Sequence, residues 1–453
     1  MTELKKFRDA YFFKVTQKDD IITKTQSYPN HLEDVFASNE SEARSYCRSF
    51  PVVFTKATGS KLIDSQGKQY IDFLSGCSAL NYGHNDPDMK KALLDFIARD
   101  GLTHGLDMHT DIKGDFISTF KKVILDPRKL DYKLLFPGPT GANAVEAALK
   151  IARKYTGRSN VISFTNGFHG VTMGALAATG NSYNRKAAGT GLSNITRMPY
   201  DGYLGEGHDT SEILKLMLHD PSSGIDLPAA ILLETVQGEG GLTAASKQWV
   251  ECVAKIARSV GALLIIDDIQ AGCGRTGSFF SFEPFDIKPD IITMAKSISG
   301  YGLPMSLVLV DPEFDCLSPG EHNGTFRGNS HAFATAKAAI DKFWIDDTFL
   351  SSFDEKEQII IETLQSLSNI IENSQLKGRG LFRGIDVLSG QLANKICRTA
   401  FENGLILETS GSDGQVIKIL AALTISKDEL KNGLDILHSA TETTLQSGKL
   451  AAE

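Results

Sequence analysis

The 453-residue chain has no excess of basic residues, no long apolar run, no paired cysteines and no histidine cluster. Its 47 Lys and Arg against 55 Asp and Glu leave a formal net charge of −8, which argues against a nucleic-acid surface, where a basic face is expected. No apolar run approaches the roughly 20 residues of a membrane-spanning helix, so no membrane partner is expected. The N-terminus, MTELKKFRDAYFFKV, carries no apolar signal core, and a cytoplasmic location is expected. The six cysteines (Cys47, Cys77, Cys252, Cys273, Cys316, Cys397) are scattered without a C-x-x-C or zinc spacing, which fits free thiols in a reducing compartment. The ten histidines show no metal-ligand spacing, and no metal is expected. His84, in NYGHNDP, reads as a turn or subunit-contact residue. No repeat or low-complexity block is present.

What is present is length and alternation. A chain of this length suits a large α/β domain with a smaller partner. Residues 1–40 are polar and weakly periodic and read as an arm or extension. From Phe54, two Gly turns between alternating apolar runs predict a small antiparallel sheet, so that residues 41–110 begin a small domain. Across residues 111–345 the short apolar runs VISF (161–164), AAILLE (229–234), ALLIID (262–267), DIITM (290–294) and LVLV (307–310) predict strands with helices between them. That alternation predicts a mostly parallel sheet flanked by helices. One helix is predicted over 142–156, with Val145, Ala148, Leu149, Ala152 and Tyr155 on one face and Glu146 and Lys150 as an i,i+4 ion pair. A second is predicted over Lys247–Val260. Residues 346–453 are helix-rich, with LFRGIDVL and QVIKILAALTI as strands, and complete a small α+β domain.

Open α/β sheets bind ligands at the carboxyl ends of their strands, and the chemistry-bearing motifs fall there. LLIIDD ends an apolar run on Asp267 and Asp268, and Lys296 follows one short segment later in MAKSISGYG. A carboxylate at a strand's end facing a partly buried lysine suits an aromatic base between them, its ring nitrogen on Asp267 and its aldehyde on Lys296. That describes pyridoxal phosphate (PLP). Asp267 would keep the ring nitrogen protonated, and Lys296 would anchor the aldehyde and shuttle a proton.

FPGPTGANAVEAALK (136–150) places Gly138, Pro139, Thr140 and Gly141 in a tight turn before a helix. The N–H groups and dipole there favour a phosphate, with the Thr140 hydroxyl as a further donor. FTNGFHGVT (164–172) holds Phe168 and His169 in a Gly-flanked loop, where an aromatic can stack on a planar ring. HNGTFRGN (322–329) offers Thr325 to a phosphate and Arg327 to a carboxylate. Taken singly, each motif also has a plainer reading: a capped helix start, a packed aromatic, a loop-capping Asp, an exposed Lys, a surface loop. GCGRTG (272–277) matches G-x-G-x-x-G. DDIQA nevertheless separates its glycines from the strand, and SFFSFEPFDIKPD after them opens no helix, so a dinucleotide site is rejected.

The ordered set PTGAN, FHG, ETVQGEGG (234–241), DDIQAGCGRTG, Lys296 and GTFRGN resembles the class III (omega-type) aminotransferases of PLP fold type I, the aspartate aminotransferase-like fold, from about residue 45 to near the end. Stretches such as LNYGHNDP, HGLDMHT, KSISGYGLPMS and LETSGSDGQVIK are similar to the diaminobutyrate–2-oxoglutarate group of that family, of the ectoine-pathway type. The resemblance implies PLP as cofactor and a ping-pong exchange in which L-glutamate aminates L-aspartate 4-semialdehyde, giving L-2,4-diaminobutyrate and 2-oxoglutarate.

It further implies Lys296 as the lysine bonded to the cofactor and Asp267 as the ring-nitrogen partner. Gln270 falls near the ring hydroxyl, Ile269 under the ring, and Phe168 with His169 on the stacking loop. Glu234 joins the cofactor residues, and Thr140, Gly141 and Ala142 hold the phosphate. Thr325 matches a threonine that reaches the neighbouring subunit's phosphate, which implies a homodimer or dimer of dimers with shared sites. Three positions depart from the family pattern: Val171 and Lys418 where many members carry Arg, and Cys77 where ornithine-specific relatives carry Tyr. These departures disfavour ornithine and GABA. Another ω-amine (ornithine, GABA or putrescine), an aminomutase, and a non-catalytic binding protein stay as alternatives. On the substrate side, Lys418 is expected to hold a carboxylate, with Glu239 as its partner when the site is empty, and Arg327 and Cys77 beside them.

Overall fold

The computed structural model describes residues 31–205 and 207–450. They fall into two compact units, one of residues up to 56 with 63–68, the other of residues 57–62 and everything from 69 onward. The described part of the first unit contains helix His31–Asn39 and the helical turn Tyr46–Ser49. Most of the expected N-terminal arm, residues 1–30, lies outside the described residues.

The second unit is built on a seven-stranded sheet. Its strands are β1 (Lys133–Leu135), β2 (Val161–Phe164), β3 (Ile195–Met198), β4 (Ala230–Leu233), β5 (Leu263–Asp267), β6 (Ile291–Met294) and β7 (Leu307–Val310), in the order β1-β7-β6-β5-β4-β2-β3. Strands β2 to β6 run parallel. β7 is antiparallel to β6, and β1 to β7. Every residue of β2, β4, β5, β6 and β7 is buried. That is why these strands read as unbroken apolar runs. Successive side chains part to opposite faces. Ile231, Leu233, Leu264 and Ile266 enter one core, and Leu232, Leu263 and Ile265 enter the other.

Helix α1 (Gly141–Thr156) covers the second face through Val145, Ala148, Leu149 and Ala152. It starts on a capping box between Thr140 and Asn143 and stops at Gly157, whose φ of 68° is left-handed. Helix α2 (Lys247–Val260) covers the first face through Trp249, Val250, Val253 and Ala257. Two sequence expectations for α1 fail. Tyr155 is 42% exposed and turns to Glu313, its hydroxyl 3.1 Å from that carboxylate. Ten positions on from Val145, the helix has rotated it past the buried stripe. Glu146 and Lys150 do not pair. Glu146 accepts from Thr172 Oγ1 (2.6 Å) and from the N–H groups of Gly174 (2.8 Å) and Ala175 (3.1 Å). Lys150 donates to the Glu321 carbonyl at 2.6 Å. Unpaired helix-start N–H groups outcompete a weak surface pair.

A second, antiparallel sheet contains β8 (Gln375–Arg379), β9 (Phe382–Asp386), β10 (Glu408–Ser410) and β11 (Val416–Ile419), in the order β8-β9-β11-β10. Helices α3 (Phe353–Ile370), α4 (Gly390–Glu402) and α5 (Lys427–Leu450) pack on it around Leu364, Ile385, Ile396, Ile417 and Leu434. The strand Gln69–Asp72, expected in a purely antiparallel sheet, pairs in parallel with Leu405–Ile406. No helix among the described residues is long and apolar enough to cross a membrane.

Because Glu146 caps the segment after the FHG loop, Glu146→Ala should speed amide hydrogen exchange at Gly174 and Ala175 about 5-fold or more, the loss of roughly 1 kcal/mol of capping. Exchange unchanged there would return Glu146 to a surface role.

Candidate active site

Short loops leaving the carboxyl ends of β2, β4, β5 and β6, together with the start of α1, enclose a cavity of about 410 Å³. Asp267, the last residue of β5, lines it while only 4% exposed. Its Oδ1 accepts from Ile269 N–H and Thr293 Oγ1, both at 3.2 Å, and its Oδ2 lies 2.7 Å from Nδ1 of the buried His169. Burial pulls the imidazole's pKa down, but the hydrogen bond and charge of Asp267 outweigh it and raise the value. Asp268, one residue on, points to the other side. It accepts from Ser281 N–H at 3.3 and 3.1 Å, and burial pushes its pKa up to about 7. The two carboxylates that end this apolar run thus have separate fates, one in the cavity and one in the core.

Glu234 follows β4 and joins two loops, accepting from Phe168 N–H at 3.0 Å and Gly238 N–H at 3.1 Å. Burial raises its pKa, against the opposing charge of His169. Lys296 opens the short helical turn Lys296–Ser299 just after β6, with a φ of 55° that is strained for a residue with a side chain. The next residue secures it. Ser297 Oγ donates to the Ser78 carbonyl at 2.7 Å and accepts from Asn81 N–H at 3.0 Å. Thr140, Gly141 and Ala142 bring the start of α1 to the same cavity. A Cβ on Gly141 would come within 2.9 Å of Ile269 Cδ1, so a larger residue there would push the Ile269 side chain aside.

Gln270 donates through Nε2 to the Cys77 carbonyl (3.2 Å) and to Glu239 Oε1 (3.1 Å). Glu239 in turn meets Lys418 Nζ at 2.8 Å, and Glu408 meets the same ammonium at 2.7 Å. Burial opposes the charge on Lys418, but the two carboxylates more than offset it and raise its pKa. Burial likewise pushes Glu239 up, but Lys418, then Lys296, hold it below the usual carboxylate range.

A class III aminotransferase family model matches residues 43–441. The chain belongs to the class III aminotransferases. It is 53% identical over 412 residues to a diaminobutyrate–2-oxoglutarate transaminase of Vibrio parahaemolyticus, covering 90% of this chain and 97% of that one. It is 56% identical over 409 residues to the transaminase of the same name from Halomonas elongata, covering 89% and 97%. An ornithine aminotransferase structure from Toxoplasma gondii superposes with a TM-score of 0.80 at 25% identity, over 97% of this chain and 98% of that one.

Class III aminotransferases depend on PLP, and the cavity fits that group. One carboxylate held by three donors stands ready for a ring nitrogen, and one lysine for an aldehyde. A helix start with unpartnered first-turn N–H groups suits a phosphate, and Phe168 and Ile269 supply apolar walls. For an aminotransferase of this family the expected residues Thr140, Gly141, Ala142, Phe168, His169, Glu234, Glu239, Asp267, Ile269, Gln270 and Lys296 all line one cavity. Four others do not. Thr325 is exposed, and Arg327 donates to the His322 carbonyl at 3.3 Å. Lys418 is sealed off with no exposed side-chain surface, and Cys77 Sγ turns toward Glu408 at 3.8 Å. Ala79 and Met305 line the cavity and Thr293 supports Asp267 from behind it, and none of the three was foreseen from sequence. A lone Thr in the apolar run DIITM was the available signal for Thr293.

Asp267→Asn should lower the His169 imidazole pKa, because burial, the largest influence, is then opposed only by the charge of Glu234 and is joined by that of Arg197. Titration of ring-labelled His169 by NMR measures this, and an unmoved pKa would sever the pair. The stability that this pair contributes is fully present below the unfolded imidazole pKa and fades as pH rises through the raised folded value.

Proposed function

We propose that this aminotransferase exchanges an amino group between L-glutamate and L-aspartate 4-semialdehyde, reversibly, giving L-2,4-diaminobutyrate and 2-oxoglutarate. The observation that carries the chemistry is Asp267 and Lys296 in one cavity with the start of α1. The substrate pair follows the printed names of the relatives above half identity.

PLP, when bound, supplies the electron sink that stabilises negative charge on the amine-bearing carbon. Asp267 presents a buried carboxylate to a ring nitrogen, and His169 fixes its orientation. Lys296 Nζ would take the proton from the amine-bearing carbon of the donor and, in the second half of the exchange, deliver one to the carbon of the acceptor that gains the amine. The buried Lys418 is held between Glu239 and Glu408, so it steadies an anion at the cavity and does not itself take a substrate carboxylate. We infer a homodimer as the active unit. Thr325 and the 74%-exposed Phe326 lie away from their own cavity, which suits a loop that completes a partner's site.

A panel of amines against 2-oxoglutarate tests the substrate. L-2,4-Diaminobutyrate should give the highest kcat/KM, at least about 10-fold above ornithine, GABA or putrescine, since one unmatched polar group costs that much or more. A higher value for ornithine, or turnover independent of 2-oxoglutarate, would replace this reading with another ω-aminotransferase or an aminomutase.

A further inference from the structure

We propose that a second cavity beside the first receives the α-amino-acid end of the amine substrate, with its ammonium on Glu239 and its carboxylate among the neutral donors around Ser410. The inference rests on the function proposed above and deepens it.

The second cavity measures about 360 Å³ and shares Phe168 and Glu239 with the first. L-2,4-Diaminobutyrate reacts through the nitrogen on its terminal carbon. With that nitrogen at Lys296, the α-ammonium and α-carboxylate extend away from the reacting centre and need an anion and a set of donors. The first cavity offers the carboxylate little. Lys296 is its one lysine, and no arginine lines it among the described residues. Lys418 is sealed between two carboxylates, and Val171, 62% exposed, lines neither cavity.

Glu239 suits the ammonium. Glu239 shares Lys418 with Glu408, and a third of its side chain stays open to the cavity. Ser410 suits the carboxylate. It is 4% exposed, lines the second cavity, and its Oγ has no hydrogen-bond partner. A buried hydroxyl left unpaired is costly, and a ligand carboxylate would satisfy it. Asn181 lines the same cavity. Its Oδ1 accepts from Tyr183 N–H at 2.9 Å, which leaves its amide hydrogens to donate. Gly411 N–H donates to the Glu239 carbonyl at 3.0 Å, so the backbone fixes the spacing between anion and hydroxyl.

Three substrates separate the two contacts in the holoenzyme. L-2,4-Diaminobutyrate carries both α groups, 4-aminobutyrate lacks the ammonium, and 1,3-diaminopropane lacks the carboxylate. Ser410→Ala should lower kcat/KM about 10-fold for the two carboxylates and leave 1,3-diaminopropane within about 2-fold. Asn184→Asp, on the rim of the same cavity, should produce the same split by repulsion and keeps the test alive if Ser410→Ala fails to fold. Glu239→Gln should penalise the two diamines and spare 4-aminobutyrate. The inhibition constant of L-2-aminobutyrate, which keeps both α groups and lacks the reacting amine, should rise about 10-fold in Ser410→Ala. Equal losses on all three substrates, or no loss, would overturn the subsite. A wild-type enzyme inactive on diaminobutyrate would instead overturn the proposed function, and the subsite with it.

Discussion

The site depends on a single buried charge pair. Asp267 ends a strand whose every residue is buried, where an unpaired carboxylate would cost several kcal/mol. His169 Nδ1 at 2.7 Å, one backbone N–H and one hydroxyl meet that cost. The pair also ties the loop after β2 to the end of β5. The placement of Phe168, and through Glu234 that of Gly238, follows from the same few bonds. A carboxylate so held has its geometry set before any ligand arrives, which is the preorganisation that electrostatic catalysis requires.

Around this pair the chain accepts strain. Ser75, Gly76, Cys77 and Ser78 all have left-handed φ values, between 44° and 72°, although only one is glycine. Arg275, fully buried, holds this turn by donating to Ser78 Oγ at 3.1 Å and Asn81 Oδ1 at 2.6 Å, with no carboxylate among these partners. Burial alone brings its pKa down to about 9. Ser78 and Asn81 in turn grip Ser297, beside Lys296. Strain at the turn, a desolvated guanidinium and a left-handed lysine are thus parts of one support.

The legible and illegible parts of the fold divide by physics. Strands β2, β4, β5, β6 and β7 were readable because burial on both faces makes their sequences almost continuously apolar, and the central pair β9 and β11 because apolar residues flank Arg383 and Lys418. The four that went unread, β1, β3, β8 and β10, are the edge strands of the two sheets. An edge strand such as QLKGR is partly solvated and reads as loop. The residues that line the cavity together were legible because they sit in local motifs at strand ends. The pairing of Lys418 with Glu239 was foreseen, but the Glu408 contacts of Lys418 and Cys77 and the unpartnered Ser410 hydroxyl were not, since they come from residues far away in sequence or from a missing partner. The ion pair expected between Glu146 and Lys150 failed for the same reason. Helical spacing permits it, but loop N–H groups from a distant segment compete more strongly.

In the proposed function, Asp267 and Lys296 stand at the two ends of one PLP ring. The most direct measurement is borohydride reduction of the holoenzyme followed by peptide mapping by mass spectrometry. The account predicts a phosphopyridoxyl mass on Lys296 alone, with the label lost in Lys296→Ala. A label on any other lysine, or none, would contradict it.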